Sequence, residues 1–314
     1  MDYQTLKQNQ TQFLALTTLL PDEFDALLVK FTPHWEKYYR YRTLEGNYRK
    51  QPSYKEHGNA TLKTTPTKLL FLLTYLKTNA LQQHQAVSFG VSQTKVSRIA
   101  GVLLDILNQT LAQLGLLPVR DAGQLATSLR NHSEMVFTYD GLERGILRNA
   151  DHKAQEMEYS GKKKGHRIKN NVLCDDSQRI HYLSPTELGA THDKKIADEY
   201  PLILPDGAVL RQDLGFLGHA PAGVLVELPH KKPRNKDLSF SELIYNQMLS
   251  SLRVIIEHVN SGIKRLRMLK DPIRLHNEWF RDTVLVVGCG LHNLRVASSQ
   301  RAYGSHKREQ NQSA

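Results

Sequence analysis

The sequence predicts an all-helical N-terminal domain followed by an α/β domain built on one mixed sheet. Three observations carry this prediction. Apolar residues recur at helical spacing over residues 1 to 110, the period shortens to that of strands from residue 134, and a long helical stripe follows from residue 239. Strands grouped first, with helices between and after them, suggest a single mixed sheet.

The elements follow in order. One helix ends near Leu20. Pro21 then stands where a first helical residue belongs, with Asp22 and Glu23 suiting the positive end of a helix running toward Trp35. The stretch RYRTLEGNYRKQPSYKEHGN reads as a basic loop containing Gly and Pro. Pro66, after Thr64 and Thr65, opens a helix that buries Leu69, Leu70, Leu73 and Leu76.

The stretch LQQHQAVSFGVSQTKVSRIAGVLLDIL is the first motif. Ala86 and Gly90 stand four apart, Ser92 is placed to cap a new helix, and Val96 and Ile99 recur at helical spacing. The pattern, over about residues 80 to 107, is that of a helix-turn-helix whose second helix would enter a DNA major groove. Its outward side chains would be Gln93, Thr94, Lys95, Ser97 and Arg98. An ordinary helical hairpin has the same spacing, but the polar, basic outer face favours DNA.

Strand-like segments occupy 134–140, 166–174, 179–184, 207–213 and 223–228, with a helix at 192–200. Ser239 and Glu242 fit a capping box. Behind it Ile244, Met248, Leu252, Ile255, Val259, Ile263 and Leu266 form an expected buried stripe, and Ser250, Arg253, Glu257 and Lys264 share one edge beside it. The expected organisation is a helical DNA-binding domain at 1–125, an α/β domain at 126–298, and a disordered basic tail at 299–314.

Composition narrows the function. Lys and Arg number 42 against 31 Asp and Glu, giving a formal charge of +11 and favouring a polyanionic partner. Cys174 and Cys289 lack metal-ligand or CxxC spacing, so neither a disulfide framework nor a zinc finger is expected. No signal peptide or membrane span is apparent, which predicts a soluble, cytoplasmic protein without a membrane partner. No phosphate-cradling loop appears, and GCG near residue 288 lies in an apolar helical pattern, so no nucleotide cofactor site is expected.

Two acids share one grammar. In MVFTYDGLE an apolar run delivers Asp140 before Gly141, and in AVLRQDLGFLG another delivers Asp213 before Gly215. Carboxylates at adjacent strand ends repel unless a cation lies between them, and hard oxygen ligands favour Mg2+ or Mn2+. Asp193 in THDKKIAD is the alternative second acid, although it opens a helix, where capping is the ordinary role. Asp198 reads as solvated, Glu143 either touches the site or faces water, and Glu257 either joins the acids or pairs with Arg253 one turn away.

The order TYDGLE, RQDLGFLGH, SSLRVIIEHVNSGIKRL resembles insertion-sequence transposases of the DDE superfamily, in the insertion-sequence-five and Harbinger-like branch. KLLFLLTYLKTNALQQHQAVSFGVSQTKVSRI is similar to that branch's helix-turn-helix, YSGKKKGHRIKN to its basic segment, and ATHDKKIAD and VGCGLHNLRV to further family stretches. The resemblance implies a ribonuclease-H-like fold with Asp140, Asp213 and Glu257 as catalytic residues and metal ligands. It implies two Mg2+ or Mn2+ ions about 3.5–4 Å apart, which would serve strand cleavage by water and then transfer by a 3′-hydroxyl.

Arg253 and Lys264 match family positions around the last acid, while Ser250 stands where relatives carry tyrosine. DNA contacts are expected from Lys162, Lys163 and Lys164, with His166, Arg167 and Lys169 beside them, and from the loop bearing Lys231, Lys232, Arg234 and Lys236. The implied partners are double-stranded DNA, as terminal inverted repeats and target, and further copies of the chain in a dimer or larger synaptic assembly. The implied setting is a bacterial cytoplasm, on the nucleoid. The competing readings are a transposase-derived DNA-binding protein without catalysis and a helix-turn-helix regulator.

Overall fold

The computed structural model describes residues 1–56, 61–130, 135–274 and 277–312, with side chains described as far as residue 300. The chain forms two compact units, one made of residues 1–117, 264–271 and 275–314, the other of 118–263 and 272–274. This division differs from the expected one: the boundary falls before residue 118 rather than at 125, and the C-terminal segment belongs with the helices.

The helical unit begins with α1 (Tyr3–Lys7), α2 (Gln10–Thr17), α3 (Pro21–Tyr41), α4 (Thr65–Thr78), α5 (Gln82–Phe89) and α6 (Gln93–Gln113). Pro21 is the first residue of α3, where its missing N–H costs nothing. The Thr64 side chain caps α4 by accepting from the Thr67 amide. Every residue of α4 from Lys68 to Leu76 is buried, so the helix is a central pillar rather than a one-sided cover.

A helix-turn-helix is formed by α5 and α6. Gly90, at φ +64°, ends α5 in the left-handed region that glycine tolerates. Ala86, Val96 and Ile99 are buried between the helices, while Gln93, Thr94, Lys95, Ser97 and Arg98 are all exposed. Ser92 holds the N-cap position but accepts no capping bond.

The second unit opens with α7 (Ala122–Leu129), followed by β1 (Val136–Gly145), α8 (His152–Glu158), β2 (Tyr159–Ser160), β3 (Gly165–Asp175), β4 (Ile180–Leu183) and β5 (Glu187–Leu188). It continues with α9 (Asp193–Glu199), β6 (Val209–Arg211), β7 (Leu225–Glu227) and α10 (Phe240–Ile263). The strands form one mixed sheet ordered β2-β3-β1-β6-β7, with β4 and β5 also on β3. Antiparallel β3 flanks β1 on one side and parallel β6 on the other, a ribonuclease-H-like α/β arrangement. Phe137, Tyr139, Leu173, Ala197, Leu210 and Phe216 share the core on one face of this sheet.

The remaining helices, α11 (Arg267–Lys270) and α12 (Glu278–Gln312), return to the helical unit. A Cβ at Gly290 would lie 2.7 Å from Leu117 and 3.0 Å from Leu111. The GCG stretch is thus a close-packing point. The expected tail lies mostly beyond the described side chains, although its backbone continues α12 to Gln312. Among the described residues no helix is long and apolar enough to cross a membrane.

Two expectations are corrected. β1 does not stop at Asp140: β3 keeps pairing with it as far as Gly145 opposite Arg167, so the acid lies within the strand. On α10 the buried residues are Leu249, Ile256, Val259, Gly262 and Ile263, whereas Ile244 and Met248 are about half exposed. Val259, Ile263 and Leu266 of the expected stripe are buried, but its N-terminal part is not, and burial on α10 begins only at Leu249.

Asp175, ending β3, accepts from His181 of β4 at 2.7 Å, and this bond with its Ser177 and Arg179 partners outweighs burial and holds the carboxyl down to about 2. Its contribution is complete above the ordinary carboxylate range near 4 and is lost as pH falls through about 2. Asp175→Asn is expected to cost about 1–3 kcal/mol in urea denaturation at neutral pH, with the gap from the parent closing as pH falls toward 2.

Candidate active site

The site begins with a register. Val136, Phe137 and Thr138 of β1 pair in parallel with Val209, Leu210 and Arg211 of β6. Continued two residues further, that register sets Asp213 beside Asp140. β6 has ended by then, and Asp213 turns into a short 3-10 segment, its side chain accepting from the Gly215 amide at 2.8 Å. Asp140 therefore lies where β1 loses its parallel neighbour but keeps its antiparallel one.

Alternation along β1 decides what each acid faces. Phe137 and Tyr139 enter the core, so Asp140 points to the opposite face with Thr138. There Arg253 of α10 brings its guanidinium to 3.9 Å from Asp140 Oδ1, each side chain one-fifth exposed. The Arg253 Nε is buried without a hydrogen-bond partner. Burial, and then the charge of Asp213, push the Asp140 carboxyl up to about 6; Arg253 pulls it back only in part, and Asp193 adds a smaller push.

Asp193 stands on the other side of β1. It is the first helical residue of α9, not its cap. A Cβ at Gly141 would meet its Cγ at 2.9 Å, and one at Gly215 would lie 3.6 Å from its Oδ2. The Asp193 carboxylate faces Lys169 Nζ at 3.5 Å, and that ammonium also stands 3.6 Å from Glu143 and donates to the Thr191 carbonyl. Arg167 approaches Glu143 at 3.6 Å. Glu143 therefore neither touches Asp140 nor faces water, and Lys169, expected to track phosphates, is locked in a buried ion network. Cross-strand pairing of Glu143 with Lys169 is the reason.

The other expected residues are distributed as follows. Glu257 is exposed on α10 one turn beyond Arg253, and among the described residues it forms no ion pair with Arg253, which turns to Asp140 instead. Lys162, Lys163 and Lys164 occupy the exposed turn between β2 and β3. Lys231, Lys232, Arg234 and Lys236 are exposed before α10, and Lys232 pairs with Asp237 at 2.6 Å. Asp198 is exposed and paired with Lys194. Lys264 follows the end of α10 and belongs to the helical unit. The reach of Arg253 to Asp140 and the fit of Asp193 under Gly141 were not foreseen; the Asp-Gly pair was the available signal for the latter.

The donor set suits a hard divalent cation in its chemistry: oxygen ligands only, with a buried acid and a neighbouring acid short of positive charge. Among the described residues, however, no group of three His, Cys, Asp or Glu side chains stands ready to hold a metal.

Two outcomes follow. Because the folded Asp140 carboxyl titrates near 6, above the ordinary range, its charged form costs stability at neutral pH and the cost is relieved as pH falls from 6 toward 4. Asp140→Asn should therefore stabilise metal-free protein by about 1–2 kcal/mol at pH 7 in chemical denaturation, with the gain vanishing near pH 4. Gly141→Ala should cost about 1–3 kcal/mol through its clash with Asp193, and Asp193→Ala in the same chain should restore most of that loss.

Comparison with known proteins places both units in one superfamily. Residues 139–293 match the DDE superfamily endonuclease family, and residues 61–113 match the helix-turn-helix of DDE superfamily endonuclease. The chain is 24% identical over 251 residues to the probable transposase for insertion sequence element IS702 of Microchaete diplosiphon, covering 77% of this chain and 85% of that one. No solved structure matches. The matched stretches span both the helix-turn-helix and the strand that carries Asp140, and the chain belongs to the DDE superfamily of endonucleases.

Proposed function

We propose that this chain is a DNA transposase that binds the ends of its own element and cuts and rejoins DNA with divalent metal ions. The observation that carries the reading is the Asp140 carboxyl, pushed up to about 6 by burial and by the charge of Asp213, which follows the end of the strand paired with β1. Such a cost is reasonable where a cation is the missing partner.

Asp140 and Asp213 would hold the ions, with Glu257 completing the set from α10. Bound there, two Mg2+ or Mn2+ ions would activate the attacking water or 3′-hydroxyl and stabilise the leaving oxygen. Arg253 stands beside Asp140 as its partial counter-charge. Asp213 is preferred to Asp193 as second acid because Asp193 lies under Gly141, across β1 from Asp140, with Lys169 as its counter-charge.

On the DNA side, the exposed face of α6 would enter a major groove, and Lys162 to Lys164 would follow the backbone. Joining two element ends calls for two or more copies of the chain.

The test is cleavage of DNA carrying the element's own ends in Mg2+. Asp140→Asn, Asp213→Asn and Glu257→Gln are each expected to lose more than ~100-fold, beyond the usual effect of outer-shell partners, while Asp193→Asn loses less than ~10-fold. Full activity in Asp140→Asn would end the catalytic reading; full activity in Glu257→Gln alone would remove that residue from the ligand set. Binding without cutting by the parent would favour the non-catalytic DNA binder.

A further inference from the structure

The segment that reads as a plain basic loop after α3 folds into a hairpin beside the helix-turn-helix. Arg42 and Tyr48 form an antiparallel bridge. The Thr43 amide donates to the Asn47 carbonyl at 2.8 Å and the Arg49 amide to the Tyr41 carbonyl at 2.9 Å. Gly46, at φ +94°, makes the turn. Arg49 staples the base: its Nε donates to the Tyr39 and Arg42 carbonyls, both at 3.0 Å, and its guanidinium lies 4.1 Å above the Tyr39 ring.

One side of the hairpin rests on α6. Glu45 pairs with Lys95 at 3.1 Å, and a Cβ at Gly46 would be 3.6 Å from Val102. Lys95 lies in the first turn of α6, the end that a helix-turn-helix directs at base edges. The hairpin thus flanks the DNA-facing end of that helix.

Its outward face carries stacked cations. Arg42 sits 4.2 Å above Tyr48 and Arg40 sits 4.9 Å above Tyr54, and both rings are 75% exposed. The acids of the same segment are engaged elsewhere, Glu45 with Lys95 and Glu56 with buried Lys68 and the Trp35 indole. Lys50 and Lys55 add exposed charge. Arg42 also donates to the Tyr48 hydroxyl, and a guanidinium held in place in this way loses less freedom on meeting a phosphate than a loose chain does.

We propose that residues 40–55 form a second DNA-contact element that grips the phosphate backbone next to the helix-turn-helix, through Arg40 and Arg42. Glu45 restrains the contact by occupying Lys95, which phosphate must win from it. The inference rests on the DNA-binding reading of α6, and the experiment separates the two.

The full chain is titrated into a fluorescein-labelled, mixed-sequence DNA duplex of about three helical turns, and anisotropy is followed from about 50 to 200 mM salt. Arg40→Ala and Arg42→Ala are each expected to weaken binding about 3- to 10-fold and to lower the salt slope by about 1. Arg42→Lys should keep most of the slope, and Glu45→Gln should bind about 2- to 5-fold tighter. Arg40 is exposed, so its variant keeps the fold, and circular dichroism checks each of the others.

Arg98→Ala reports on α6 alone. Weakening by Arg98→Ala with unchanged affinity and slope in Arg40→Ala and Arg42→Ala overturns the hairpin and leaves the helix-turn-helix reading standing. The opposite pattern keeps the hairpin and sinks that reading. No binding by the parent chain overturns both.

Discussion

Two like charges set side by side are the constraint around which the second unit is organised. Parallel pairing of β1 with β6 runs as far as Thr138 and Arg211, two residues short of Asp140 and Asp213, and the charge of Asp213 bears on the Asp140 carboxyl. Burial raises the cost and Arg253 offsets only part of it. On the reading proposed above, a bound cation would restore the stability spent there. The sheet supplies rigidity, because β1 is bonded on both sides up to Thr138 and on one side beyond.

The second acidic cluster shows the contrast. Glu143 and Asp193 are as enclosed as Asp140, yet Lys169 stands between them and Arg167 closes the far side. Those charges are balanced within the protein and hold α9 against the sheet. Neighbouring positions on one strand therefore serve different ends, decided by which face each side chain takes.

Much of this was legible in the sequence, and the reasons are local. The helix-turn-helix followed from Ala86, Gly90, Val96 and Ile99, whose spacing is itself the geometry. Asp140 and Asp213 followed from apolar runs that end in Asp with glycine close behind. What stayed hidden depended on partners distant in sequence. β3 extends β1 past Asp140, and no local pattern encodes that. On α10 only the half facing the sheet is buried, so an apolar stripe read off the helix could not say where its cover begins. Lys169 resembled the lysines before it until its cross-strand neighbour was known.

The return of α12 to the helical unit has a further consequence. α12 packs on α6 through Gly290, and the Asn293 side chain donates to the Leu116 carbonyl at 2.9 Å. During synthesis, then, the helical unit begins before the sheet and is finished after it, because one wall of it is translated after the entire sheet. A chain interrupted before α12 would leave that flank of α6 bare, its apolar side chains facing water.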